Sequence, residues 1–144
     1  MIEHILVAVG DEDMDVDAIA EHVAEIASGV GAEVTLFRAF SERELSAWLD
    51  EMGYDTVQPE AMAQRHNVVN AFADVLRDAN VKLTVAAEVG PASESVVEYV
   101  RSHDVDHVFL GGRRRSPTGK ALLGSVSQHI LLELDVPCTV MFNG

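Results

Sequence analysis

Hydrophobic and polar positions along this chain alternate between two rhythms. Ile5 to Val9 is an unbroken apolar run, the pattern of a parallel strand covered on both faces. Gly10 closes it. From Asp13 to Ser28, Ile19, Val23 and Ile26 recur at helical spacing, Val30 continues the series, and alanines fill the gaps. An acidic opening (Asp11, Glu12, Asp13, Asp15, Asp17) suits the positive end of a helix, and Gly29 or Gly31 stops it. Glu33 to Phe40 reads as a second strand. Ser41 with Glu44 three residues later has the form of a capping box, so a short helix to about Met52 should follow. Pro59 suits a helix start, and an apolar stripe from Ala61 and Met62 through Val68, Val69, Phe72, Val75, Leu76 and Ala79 predicts one helix over residues 60–80. A third strand is expected over Val81–Val89, ended by Gly90-Pro91, then a helix over Ala92–Ser102. A fourth strand should run from His107 to Leu110 and break at the paired glycines Gly111-Gly112. A helix over Ser125–Leu134 is expected to bury Val126, Ile130, Leu131 and Leu134, and a fifth strand to span Pro137–Phe142.

Strand and helix in steady alternation predict a parallel sheet with helices on both faces, joined by right-handed crossovers. In such folds ligands bind beyond the carboxyl ends of the strands, where the strand order reverses. At 144 residues, with no linker, repeat or low-complexity tract, the chain is expected to form a single domain over residues 1–144.

Charge narrows the partners. The net charge is −14, with 24 acidic residues against 10 basic ones, of which only Lys82 and Lys120 are lysines. A surface this acidic repels polyanions, which argues against nucleic acid and against anionic membranes. High acidity with few lysines is the balance expected of a halophilic organism's protein. No run reaches membrane-spanning length and no secretory leader opens the sequence, so a cytoplasmic location is expected. The one cysteine, Cys138, sits in an apolar segment and is expected to be a buried, inert thiol.

Against that acidic background, Arg113, Arg114, Arg115 and Lys120 fall within eight residues of one another. The window from Leu110 to Ile130 reads as a strand end, a basic loop and a helix entered at Gly124-Ser125. The first N–H groups of a helix lack intrahelical acceptors and carry the positive end of its dipole, so this is the arrangement of an anion site. Phosphate, as part of a nucleotide, is the first ligand it suggests. Ser125 is either an N-cap alone or a hydroxyl offered to a phosphate or its metal. Lys120 either neutralises a terminal phosphate or sits in solvent.

The same window resembles the nucleotide loop of the universal stress protein family: Gly, two residues, Gly, nine residues, then Gly and Ser or Thr. Gly111 matches the first glycine and Gly124-Ser125 the closing pair, while Arg114 stands where the second glycine is expected. The Ile5-Leu6-Val7-Ala8-Val9 opening, the Gly90-Pro91-Ala92 turn and the closing Val136-Pro137-Cys138-Thr139-Val140 segment are similar to this family in the same order. The resemblance implies an adenine nucleotide alpha hydrolase-like fold, a three-layer doubly wound sandwich around a five-stranded parallel sheet in the order 3-2-1-4-5. It implies a stress-response or regulatory protein, commonly a homodimer formed through the last strand, here Pro137 to Phe142, with Val140 or Met141 facing outward. It implies binding of ATP or AMP, with Mg²⁺ accompanying ATP, and any hydrolysis slow and incidental. Together with the chemistry of the individual residues, it gives as candidate nucleotide-binding residues Gly10, Asp11, Gly111, Gly112, Arg113, Arg114, Lys120, Gly124, Ser125 and Val126. In nucleotide-binding members the first strand ends in an Asp that contacts the nucleoside; this chain has Gly10 there and Asp11 one position later. Asp11 either reaches a ribose hydroxyl from a shifted loop or belongs to the acidic surface. Arg114 either blocks the close approach that Gly permits or turns its guanidinium to a phosphate. The alternative is a non-nucleotide-binding dimeric interaction module of the same fold.

Other signals weigh less. Asp11, Asp13 and Asp15 have EF-hand spacing, but Val16 and His22 replace the required Gly and Glu. Gly119-Lys120 is followed by Ala121, so the Walker pattern fails. No histidine has a metal-ligand partner at a useful spacing, and Ser125 with His129 lacks a marked base and oxyanion site. Trp48 and Tyr54 are read as covering a sheet edge rather than as a lid.

Overall fold

The computed structural model describes residues 1–10, 15–113 and 123–143. Five strands form one parallel sheet: β1 (His4–Ala8), β2 (Glu33–Phe40), β3 (Leu83–Val89), β4 (His107–Arg113) and β5 (Cys138–Asn143), in the order β3-β2-β1-β4-β5. The helices are α1 (Val16–Val30), α2 (Glu42–Met52), α3 (Pro59–Ala63), α4 (Asn67–Asp78), α5 (Ala92–Ser102) and α6 (Ser125–Glu133).

Strand side chains alternate between the faces, and each face has its own core. Ile5, Val7, Leu36 and Phe109 pack with α1 (Ile19, Val23) and α4 (Val69, Phe72, Leu76). Leu6, Phe37, Val108 and Leu110 pack with α5 (Val96, Val100) and α6 (Ile130). The expected three-layer sandwich and strand order are observed.

Local chemistry explains where elements begin and end. Asp15 caps α1 by accepting from the Ala18 N–H at 3.3 Å. Ser41 and Glu44 form the expected capping box at α2. Gly31 and Gly53 end α1 and α2 at φ +74° and +73°, a left-handed turn that a side chain would strain. It is thus Gly31, not Gly29, that stops the first helix.

Three expectations change. The stripe over residues 60–80 is two helices, α3 and α4, with Gln64–His66 between them. Met62 and Ala63 pack with Phe40 and Ala87, under Leu45 and Trp48, whereas Val68, Val69 and Phe72 face the α1 core. One straight helix cannot serve both. The fourth strand does not break at the glycines: Gly111, Gly112 and Arg113 pair in register with Met141, Phe142 and Asn143 of β5. Finally, of the apolar face expected on the last helix, only Ile130 is buried; Val126 and Leu131 are exposed and Leu134 is half-buried. Cys138 is half-buried, and burial pushes its thiol pKa up, away from thiolate chemistry. Among the described residues no helix is long and apolar enough to cross a membrane.

Candidate functional site

β1 and β4 run side by side only as far as Val7 and Phe109. Beyond those residues β1 follows β2, whose Phe37 carbonyl accepts the Val9 N–H at 2.8 Å, and β4 follows β5. The sheet splits at its carboxyl end, at the point where chain order reverses. A crevice of about 520 Å³ opens there, within the range of small-molecule sites.

Its floor is the strand ends: Val9 and Gly10 of the first, Ala39 of β2, and Leu110, Gly111 and Gly112 of β4. Its walls are helix starts. Gly90, Pro91 and Ala92 lead into α5, and Gly124 to Ser127 lead into α6. Among the described residues neither helix is capped by a side chain; Pro91 and Gly124 hold the cap positions. Their first-turn amides therefore lack partners from a cap and present two positive dipole ends to the same space. Phe37, Val96 and Ile130 make the interior apolar.

Small residues keep it open. A Cβ at Gly124 would meet nothing within 4 Å, so the fold there does not require glycine and the space belongs to the crevice. At Gly90 a Cβ would lie 3.2 Å from Ser95 Oγ, tight enough to disturb the start of α5.

The structure sorts the sequence candidates into three groups. Gly10, Gly111, Gly112, Gly124, Ser125 and Val126 all line the crevice. Arg113 is placed by its backbone at the end of β4, paired with Asn143. Asp11, Arg114 and Lys120 lie outside the described residues, as does Arg115. Two roles change. Ser125 is not an N-cap: Gly124 holds that position and Ser125 is the first helical residue. Gly111 and Gly112 belong to the β4–β5 ladder rather than to a free loop, and they line the crevice beside the start of α6; residues 114–122 of the expected cradle lie outside the described residues.

Four polar residues were not read from the sequence as part of the crevice. Ser127 donates its hydroxyl to the Gly111 carbonyl at 3.3 Å, tying α6 to β4. Arg38 lies in β2 at 8% exposure, its Nη1 donating to the Val9 carbonyl at 3.4 Å and its Nη2 to Glu44 Oε2 at 3.1 Å. Its guanidinium carbon sits 5.4 Å from the centre of the Phe40 ring. Glu44 and Ser41 join it on the crevice wall. A charged residue inside the run Val34 to Phe40 was the available signal, since strands covered on both faces rarely carry one without a specific partner.

Trp48 and Tyr54 lie 5.9 Å apart and do not line the crevice. Trp48 packs on the cluster of Phe40, Met62, Ala63 and Ala87, covering the β2–β3 side of the sheet. Among the described residues no group of three His, Cys, Asp or Glu side chains is arranged to hold a metal ion.

Comparison with known proteins agrees with this fold. The model of the universal stress protein family matches residues 1–141. A universal stress protein of Mycolicibacterium smegmatis is 40% identical over 79 residues, 54% of this chain. The matched stretch spans 61% of that relative's length. The structure of a universal stress protein from Archaeoglobus fulgidus superposes with a TM-score of 0.73 at 19% identity, covering 97% of this chain and 98% of its own. A universal stress protein from the same organism, solved in complex with dAMP, gives 0.67 at 15% identity, covering 97% and 98%. At these identities the two structures speak for the fold.

Proposed function

This chain belongs to the universal stress protein family, and on that premise we propose that it binds an adenine nucleotide, ATP or AMP, as a stress-response or regulatory protein. The observation that carries the reading is the crevice of about 520 Å³ at the split between β1 and β4, walled by the uncapped start of α6. The apolar interior suits a base, and the α6 amides with Ser125 suit phosphate. The dAMP complex of the Archaeoglobus fulgidus protein supports the ligand class. Ser125 is exposed at the first turn, so its hydroxyl is available to phosphate or to Mg²⁺ accompanying ATP. Calorimetry on nucleotide-free protein with ATP and AMP, in Mg²⁺ and molar KCl, should give saturable binding. No heat at millimolar nucleotide overturns the reading. It would favour the alternative, a dimeric interaction module without nucleotide, to which Gly10 already lends weight by ending the first strand without a side chain.

The protein is proposed to act as a homodimer through the edge of β5. Among the described residues that strand is the outermost of the sheet, the position from which a sheet can continue into a twin. Val140 packs on the α5–α6 core and Met141 on the α1–α4 core, so neither faces outward as expected. Exposed Leu131 and Leu132 on the preceding helix are the better candidates for apolar contact. Leu132, at 75% exposure, can change without disturbing a core. Leu132→Asp should convert a dimer into monomers in sedimentation at high salt. A dimer that persists moves the contact off this face.

A further inference from the structure

Among the described residues the crevice is lined by one carboxylate, Glu44. We propose that Glu44, held in place by Arg38 and Ser41, accepts hydrogen bonds from the ribose cis-diol of the bound nucleotide and makes this protein select ribonucleotides over 2′-deoxyribonucleotides. The proposal rests on the nucleotide reading above and assigns it a sugar-recognition residue.

The position suits the task. Arg38 and Glu44 belong to β2 and the first turn of α2, on one side of the first strand; Gly111 and the α6 start lie on the other. Two strand spacings, about 10 Å, separate β2 from β4. A ligand whose phosphate sits at α6 therefore extends its nucleoside across the end of β1 toward Glu44. In the dinucleotide-binding doubly wound fold an acidic side chain hydrogen-bonds the ribose 2′-OH, and the two oxygens of a carboxylate can accept from both hydroxyls of a cis-diol.

The carboxylate has the capacity left. Glu44 Oε1 accepts from the Ser41 N–H at 3.1 Å and Oε2 from Arg38 Nη2 at 3.1 Å. Each carboxylate oxygen offers two lone-pair directions, so one on each oxygen remains. The side chain is 44% exposed, so a ligand can reach it. Both existing bonds fix its rotamer before the ligand arrives, and Arg38 is itself anchored on the Val9 carbonyl. The exocyclic amine of adenine is the competing donor at this end. It would use the carboxylate less fully than a diol with two adjacent hydroxyls.

The test is calorimetry of AMP, 2′-dAMP and IMP on the wild-type chain, Glu44→Ala and Glu44→Gln, with circular dichroism as the check on folding. Glu44→Gln retains a capping-box residue, so it guards against a helix that frays for want of a cap. Wild-type protein should bind AMP about tenfold or more tightly than dAMP, the scale of a hydrogen bond to a charged group. Both variants should shrink that ratio, Glu44→Ala toward unity, while the AMP-to-IMP ratio stays put. Equal binding of AMP and dAMP by the wild type overturns the ribose assignment and leaves nucleotide binding standing. A change in the AMP-to-IMP ratio alone overturns it in favour of base recognition. If AMP does not bind at all, both readings fall together.

Discussion

The two ends of the sheet are built on opposite plans. At the amino end, polar groups answer one another. Asp106 accepts from the main-chain N–H groups of Glu3 and His4, both at 2.9 Å. His4 Nε2 pairs with Thr35 Oγ1 at 2.7 Å, and His107 Nε2 with Thr139 Oγ1 at 2.7 Å. Burial lowers the His107 pKa, because desolvation disfavours the charged ring. His103 stacks on Tyr99 with ring centres 3.8 Å apart. At the carboxyl end the strands part, glycines line the gap, and the helices that open onto it have no side-chain caps. Among the described residues, the polar groups named at the amino end are paired, whereas the first turns of α5 and α6 at the carboxyl end have no side-chain cap. Stability and ligand binding are thereby assigned to different ends of the same strands, and substitutions at each end should separate them.

The largest effect should come from Gly124→Val. The backbone at Gly124 is extended, with φ −63° and ψ 159°, which valine adopts readily. A Cβ there meets nothing within 4 Å, so the fold has room for it. The branched side chain would then project into the crevice beside the α6 amides. Nucleotide affinity should fall about 100-fold or more, the scale of a lost charged contact combined with steric exclusion. The circular dichroism spectrum and Tm should stay near wild type. Retained affinity would place the phosphates away from α6 and break the division between the ends.

What the sequence disclosed follows the same division between local and distant causes. The Ser41–Glu44 capping box was legible because all its partners lie within four residues. The strand order came through the family likeness, carried by the glycine window and the apolar runs. The extension of β4 through Gly111–Arg113 was not legible, because glycine is a poor strand former and the segment is placed by distant pairing with Met141–Asn143. The break between α3 and α4 was hidden because the apolar stripe runs on, while its two halves face different cores. Arg38 and Glu44 were missed as crevice residues because their meeting depends on how α2 folds back after β2, which periodicity does not encode. Glu44 was seen only as a cap; the same carboxylate also holds Arg38 and faces the crevice.

The smaller effect belongs to the amino end, where Asp106→Asn should cost stability and leave binding alone. The two main-chain N–H bonds hold the Asp106 carboxyl below the usual aspartate pKa, despite a weaker opposing effect of desolvation. A carboxylate with a lowered folded-state pKa contributes stability that is complete above its unfolded pKa, about 3.9, and is lost as pH falls through the folded value. Both bonds run to Asp106 Oδ2, so a carboxamide oxygen in its place can still accept them, but without the charge that strengthens them. At neutral pH the Tm of the variant should therefore lie a few degrees below wild type, and the gap should close as pH drops below about 4. Affinity for nucleotide should match wild type throughout the neutral range, because Asp106 lies at the opposite end of the strands from the crevice. A Tm gap that widens on acidification would mean that the carboxylate is not the stabilising form. A loss of nucleotide affinity would mean that the two ends are coupled through the sheet rather than independent.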